Sequence, residues 1–394
     1  MFRFKKVIFL IFLIVSIILI SIVFLRDDKV KNVVKRDLIM SDSNNLNNEM
    51  LSSISKKGII VLGEYHGVKE HHELLKNLAI ELNKKNYNTL LIETPQAWSW
   101  IYEDYTTGNI SEVDEIISKR FRFYTANLKD IRKYNINLPE KERLRVKTID
   151  INHNPYYYIT SLEFMVQFIE NKEPIKILIK ELKENVEDEE NYKKVVLDFN
   201  NNLKKYKSKF SSKWYNRLNK MTDIEIKSIK CRKYLKDGKR KSRYIERENI
   251  IKSLVEDNLK ITDKLIINVG ANHAQKKPFR GTKHEWIGEY LSYKSSYAKD
   301  NTYCLLVIPK KGKIQWGSFD NHKSIDITKS SDNAELFKII AETSKDKIGF
   351  LLFNDQIFEN EKMPLNFYYN KIKIKPKKQY DGVIVIPKAN VIKR

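Results

Sequence analysis

Four predicted strands, each delivering a polar residue at its carboxyl end, constrain this chain more than any other feature. Residues 59–62 lead into Gly63-Glu64-Tyr65-His66-Gly67, residues 89–92 stop on Glu93, residues 144–149 stop on Asp150, and residues 264–269 run into Gly270-Ala271-Asn272-His273. Continuous runs of this length belong to strands buried on both faces, as in parallel sheets. Between the first two, residues 68–85 carry Leu74, Leu75, Leu78, Ile80 and Leu82 near helical spacing, so 59–93 reads as a βαβ unit. Further strands are expected at 303–308, 348–353 and 382–386. The fold class that follows is α/β, a mixed, mostly parallel open sheet flanked by helices. Ligands of such sheets bind outside the carboxyl ends of the strands, which is where the four polar residues are delivered.

Between the third and fourth runs lies a long insertion, about 155–263, with few breakers and with helical spacing at Ile175, Leu178, Ile179 and Leu182 and again at Ile250, Ile251, Leu254 and Leu259. It reads as a helical cap beside the active edge of the sheet. Its first part is acidic at 187–190 and its second part basic. Residues 201–250 hold 17 Lys and Arg against 5 Asp and Glu, a net of +12 out of the +23 of the whole chain. A field of that size can attract anionic lipid or a polyanionic wall polymer. Tyr206, Trp214, Tyr215 and Tyr234 form no stacking repeat, so nucleic acid is not favoured. The competing reading is a solvated helical face.

The amino terminus offers a second constraint. Residues 7–25 are nineteen uncharged positions, almost all Ile, Leu, Val and Phe, enough to span a bilayer as a helix. No small-x-small cleavage site follows, so an uncleaved anchor is expected. The division is then a membrane anchor at 1–26, a polar tether at 27–57 and one α/β domain at 58–394, with the bulk of a single-pass protein outside the cytoplasm.

The strand-end residues suggest two routes to hydrolysis. Glu64 and His66 are two apart and can point the same way. An imidazole with its ordinary pKa near ~6.5 can take a proton from water while a carboxylate fixes its tautomer. Alternatively His66, His273 and one carboxylate, Glu93, make a three-ligand site for a divalent metal with an open position. Arg247 would hold a developing oxyanion or an anionic group through its fork of donors, its competing reading being a surface ion pair within the charged run 243–248. His71, Asp150 and Asn272 are weaker candidates for the same site. Only two cysteines occur, Cys231 and Cys304, too few for a disulfide framework. No G-x-S-x-G elbow and no glycine-rich phosphate loop is found.

The order of these motifs resembles the superfamily of erythromycin esterase-like proteins, Tiki/TraB-type proteins and ChaN-like haem-binding lipoproteins. The likeness rests on two G-x-x-H motifs, Gly63-Glu64-Tyr65-His66 and Gly270-Ala271-Asn272-His273, on Glu93 and Arg247, and on the closing segment 380–386. It covers about residues 58 to 387. In esterase-like members the matching histidine is a general base for water, which would be His66. In Tiki-type members the two motifs and the carboxylate are tied to a divalent metal, and ChaN-like members bind haem without catalysis. One residue separates Glu64 from His66, as on the Tiki and ChaN side, where esterases usually have two. The resemblance thus implies a hydrolase acting on an ester or amide, with a haem- or metal-binding surface protein as the alternative.

Overall fold

The computed structural model describes residues 14–16, 28–43, 45–111, 122–277, 284–316, 318–329, 335–360, 363–364 and 373–392. In chain order the strands are β1 (Ile39–Ser41), β2 (Ile59–Glu64), β3 (Thr89–Pro95), β4 (Arg145–Asp150), β5 (Leu265–Gly270), β6 (Thr302–Pro309), β7 (Lys311–Trp316), β8 (Ser318–Asp326), β9 (Ile348–Leu352), β10 (Met363–Pro364), β11 (Lys373–Ile374) and β12 (Gly382–Ile386). Eight of them form one sheet in the order β1-β9-β12-β6-β2-β5-β3-β4. Every neighbouring pair from β12 to β4 is parallel. The β9 and β1 strands finish the other edge antiparallel. Mixed α/β architecture with a parallel sheet flanked by helices is therefore what these sequences form.

Physical chemistry explains why the centre was readable. All six residues of β2 and of β5 are buried, and a strand covered on both faces has no polar alternation to show. Each Ile, Leu or Val so covered contributes roughly 1.5–3 kcal/mol. β1 and the β7–β8 hairpin were not readable. β1 is only three residues long, and the β7–β8 hairpin alternates lysines and other polar residues through Lys311-Gly312-Lys313-Ile314-Gln315.

Two expectations about the amino-terminal region are corrected. No helix among the described residues is long and apolar enough to cross a membrane. That finding counts against the single-pass membrane protein expected from 7–25. Of that stretch only residues 14–16 are described, and 7–13 and 17–25 lie outside the described residues. The region read as a polar tether is folded onto the domain from residue 28. Residues 28–37 are helical, β1 pairs with β9, and the helix Asn48–Ile54 is capped by the Asn47 side chain, which accepts from the Glu49 N–H. Val30, Val34, Met50 and Ile54 are buried. Apolar residues at helical spacing within a polar run were the overlooked signal.

Between β4 and β5 the chain is helical, through Pro155–Met165, Glu173–Glu184, Glu189–Asn202, Ser212–Lys236 and Arg240–Leu259. Many basic side chains of 201–250 are in ion pairs: Arg217 with Asp104, Lys230 with Glu246, Arg232 with Glu225 and Lys233 with Glu190. The last of these helices returns the chain to β5 and lays Arg247 and Glu248, both buried, against the edge of the sheet.

Strand order sets the geometry of that edge. β2, β5, β3 and β4 are consecutive neighbours, so the ends carrying Glu64, the β5 turn, Glu93 and Asp150 stand side by side. Glu64 lies level with Gly270 across the parallel ladder. The β3–β4 register shifts between Ile92 and Pro95, and Glu93 falls within that irregularity, the kind of local break that re-aims a side chain.

Candidate active site

On β2, Glu64 is 4% exposed and three groups converge on its carboxylate. The His66 Nδ1–H donates to Oε1 at 2.9 Å, the Asn268 Nδ2 donates to Oε2 at 2.7 Å, and His71 Nε2 lies 3.0 Å from Oε2. The same His71 nitrogen donates to Asn268 Oδ1 at 2.7 Å. Burial alone would raise the pKa of Glu64, but the hydrogen bond from His66 and the neighbouring His71 hold it well below the usual carboxylate range.

His66 is the part of the cluster that meets solvent, its side chain 51% exposed. One side of the ring is crowded: a Cβ on Gly270 would meet His66 Nε2 at 2.9 Å and Glu93 Oε2 at 3.5 Å. Desolvation on that side pulls its pKa down, yet the Glu64 hydrogen bond and the charges of Glu93 and Glu64 win and push it up to about 9. Water at the open half of the ring screens those charges.

Glu93, Asp150, Arg247 and His273 form the floor. Arg247, 9% exposed, donates from Nε to Asp150 Oδ1 and from Nη2 to Asp150 Oδ2, both at 2.7 Å. Its Nη2 also donates to Glu93 Oε1. Its Nη1 lies 3.3 Å from His273 Nε2. Glu93 Oε2 accepts the Gly270 N–H at 2.5 Å. Asp150 further accepts from His153 Nε2 at 2.7 Å. Burial raises the pKa of both acids; His273, Arg247 and His66 outweigh it for Glu93, and Arg247 and His153 for Asp150, so both stay below their ordinary values. His273, 6% exposed, gives its Nδ1–H to Glu248. Burial lowers its pKa, but Glu248 and Glu93 raise it further.

The structure thus brings Glu64, His66, Glu93, Arg247 and His273 together, with Asp150 and His71 in direct contact with them. Asn272 is not recruited: its Oδ1 accepts from Gln275 Nε2 at 3.0 Å and serves the turn. Arg247 is no surface ion pair, nor a free anion fork, because Asp150 occupies two of its donors. Glu248, Asn268 and His153 escaped the sequence reading. Asn268 had a signal, a lone amide within an apolar strand. Glu248 had none, since a glutamate beside an arginine on a charged helix looks solvated. Two surface concavities, about 380 Å³ around Lys176 and Lys180 and about 300 Å³ around Asp42 and Lys347, contain none of these residues.

The three-ligand metal site expected of His66, His273 and Glu93 is corrected by the donor set. Among the described residues no group of three or more His, Cys, Asp or Glu is arranged to hold a metal ion. Both Glu93 oxygens are held by Arg247 and Gly270, and the Arg247 guanidinium faces His273 Nε2. The Arg247 guanidinium is the cation that Glu93 and Asp150 hold.

Comparison with known proteins follows this geometry. No family profile matches the sequence, and no curated protein matches it. Solved structures do match. A Bacillus cereus protein superposes with a TM-score of 0.66 at 17% identity, covering 92% of this chain and 98% of its own. A succinoglycan biosynthesis protein gives a TM-score of 0.67 at 12% identity over 92% and 97%. A mutant of the erythromycin esterase EreC in its open conformation gives 0.64 at 15% identity over 90% and 98%. At these identities the likeness is one of fold.

Proposed function

We propose that the chain is a hydrolase that activates water with His66 and acts on an ester. The observation that carries this reading is the Glu64–His66 pair, the solvent-reaching imidazole of a buried acid–base cluster at the carboxyl edge of the sheet. The fold shared with EreC supports it. Glu64 holds the Nδ1 proton, leaving Nε2 to take a proton from water as the water oxygen attacks the ester carbonyl. That proton then passes to the leaving alkoxide as the tetrahedral intermediate collapses to acid and alcohol. Arg247, held by Asp150, fixes the Glu93 carboxylate in place, and Glu93, by accepting the Gly270 N–H, holds the backbone on which His66 rests.

The test is turnover of p-nitrophenyl acetate and p-nitrophenyl butyrate by the purified chain. His66→Ala is expected to lower kcat/KM by about 10²–10⁴-fold, the usual worth of a general base, with an unchanged circular dichroism spectrum. Wild-type turnover that survives His66→Ala would overturn the assignment.

A further inference from the structure

We infer that Glu248 is the positioning residue of a second carboxylate–imidazole pair, fixing His273 with its proton on Nδ1 and its Nε2 turned towards the Arg247–Glu93 pair. The inference rests on the hydrolase reading only for its kinetic consequence.

Glu248 is 1% exposed and both its oxygens are engaged. One accepts the His273 Nδ1–H and the other accepts the Ile287 N–H at 2.9 Å. A carboxylate can only accept from these partners, so the proton of the first bond sits on Nδ1 in either charge state of the ring. The ring is held in orientation by Trp286, whose indole packs edge-on at 4.9 Å between centroids and 79° between planes. The backbone is held too, since the His273 N–H donates to Gly270 O and the Gly288 N–H donates to His273 O, each at 2.9 Å. The remaining nitrogen, Nε2, then has two neighbours, Arg247 Nη1 at 3.3 Å and Glu93 Oε1 at 3.4 Å.

This arrangement links Glu248 to His66 by contacts already described. Glu248 orients His273, His273 Nε2 faces Glu93, Glu93 accepts the Gly270 N–H, and Gly270 lies under the His66 ring. The chain runs beneath the strand ends from the helix Arg240–Leu259 to the loop after β2. Glu248 touches none of the reacting atoms; it acts by setting where Glu93 and His273 stand. A carboxylate paired with the nitrogen of an imidazole remote from the chemistry is the general means of fixing a histidine tautomer.

The experiment is imidazole ¹⁵N–¹H correlation spectroscopy on full-length protein labelled at its seven histidines, with His273 assigned from His273→Asn. The wild type is expected to show a slowly exchanging, far-downfield proton on His273 Nδ1. Glu248→Ala should lose it, whereas Glu248→Asp, which keeps two acceptor oxygens, should retain it. With p-nitrophenyl acetate as probe, Glu248→Ala should lower kcat by about 10-fold or more at similar KM, with Glu248→Asp recovering part of the loss. A wild-type His273 bearing no Nδ1 proton, or a Glu248→Ala spectrum identical to wild type, overturns the inference, and the wild-type spectrum decides even if the alanine variant does not fold. Absence of ester turnover with the expected spectra overturns the hydrolase reading and leaves the positioning role standing.

Discussion

Gly270 shows how much depends here on a missing side chain. A methyl group at this position would come within 2.9 Å of His66 Nε2, so Gly270→Ala should push the imidazole aside while leaving β5 paired. A shift of about 1 Å can lower a rate on the order of 10²-fold, and kcat/KM on p-nitrophenyl acetate, with thermal unfolding as the control, would measure it. A stable variant of full activity would place the chemistry elsewhere. The pH dependence follows from His66 itself. Its pKa in the fold stands at about 9, above its ordinary value, so the fold favours the protonated ring. The stability this contributes is fully present below about pH 6.5 and is lost as pH rises through about 9. A base must be unprotonated, so turnover should climb over the same interval in which that contribution falls away. Glu64→Gln removes the first partner that raises the pKa and should move the rising limb to lower pH. A flat profile across pH 6 to 10 in the wild type would remove His66 as the base.

Legibility varied from element to element, and the reason is burial. The central strands announced themselves because a strand covered on both faces must be apolar throughout, and their ends announced Glu64, Glu93 and His273 because polarity starts where cover stops; Asp150 was found at the end of the edge strand β4, which alternates. Helix faces were harder. Arg247 and Glu248 sit on Arg240–Leu259 among charges that look solvated, and only tertiary packing distinguishes the buried pair from exposed Arg240 or Asn249. The preceding helix, Ser212–Lys236, repeats the lesson with Glu225, which is 0% exposed. Glu225 accepts from Arg232 and Asn152 Nδ2 at 2.7 and 2.8 Å, and from the Tyr192 hydroxyl at 2.9 Å. Asn152 belongs to the loop that leaves β4 two residues after Asp150, and Arg232 also donates to its backbone carbonyl. Removing one member of such a buried pair leaves the other charge uncompensated at a cost of about 3–5 kcal/mol. Glu225→Ala should therefore lower the midpoint of chemical unfolding by a corresponding amount, and should weaken turnover through Asp150 and Arg247. An unfolding midpoint equal to wild type would show that the insertion does not brace the site.

At the scale of the whole molecule, the amino-terminal segment raises the question of where the folding unit begins. A domain boundary at Gly58 is natural from sequence, because the first continuous apolar run starts there. The structure moves it upstream. β1 extends the sheet beyond β9 through Ile39↔Phe350, Met40↔Gly349 and Ser41↔Ile348, and Val34, Met50 and Ile54 are each 0% exposed. Arg36 reaches Asp355 at 2.8 Å, although both are open to solvent and that contact counts for little. Burial dominates: at roughly 1.5–3 kcal/mol for each covered Val, Met or Ile, these three side chains alone represent about 5–9 kcal/mol, an upper estimate because an unfolded chain already hides part of its surface. Total stabilities of order 5–15 kcal/mol make that loss decisive. A chain starting at Gly58 should accordingly unfold at a much lower denaturant concentration than one starting at residue 28, and should expose the β9 edge to self-association. Equilibrium unfolding of the two truncations, followed by tryptophan fluorescence at equal protein concentration, gives the comparison. Coincident curves would return residues 28–57 to the role of a tether. Separated curves would make the antiparallel edge part of what holds β12, β6 and β2 in place, and through β2 the Glu64–His66 pair.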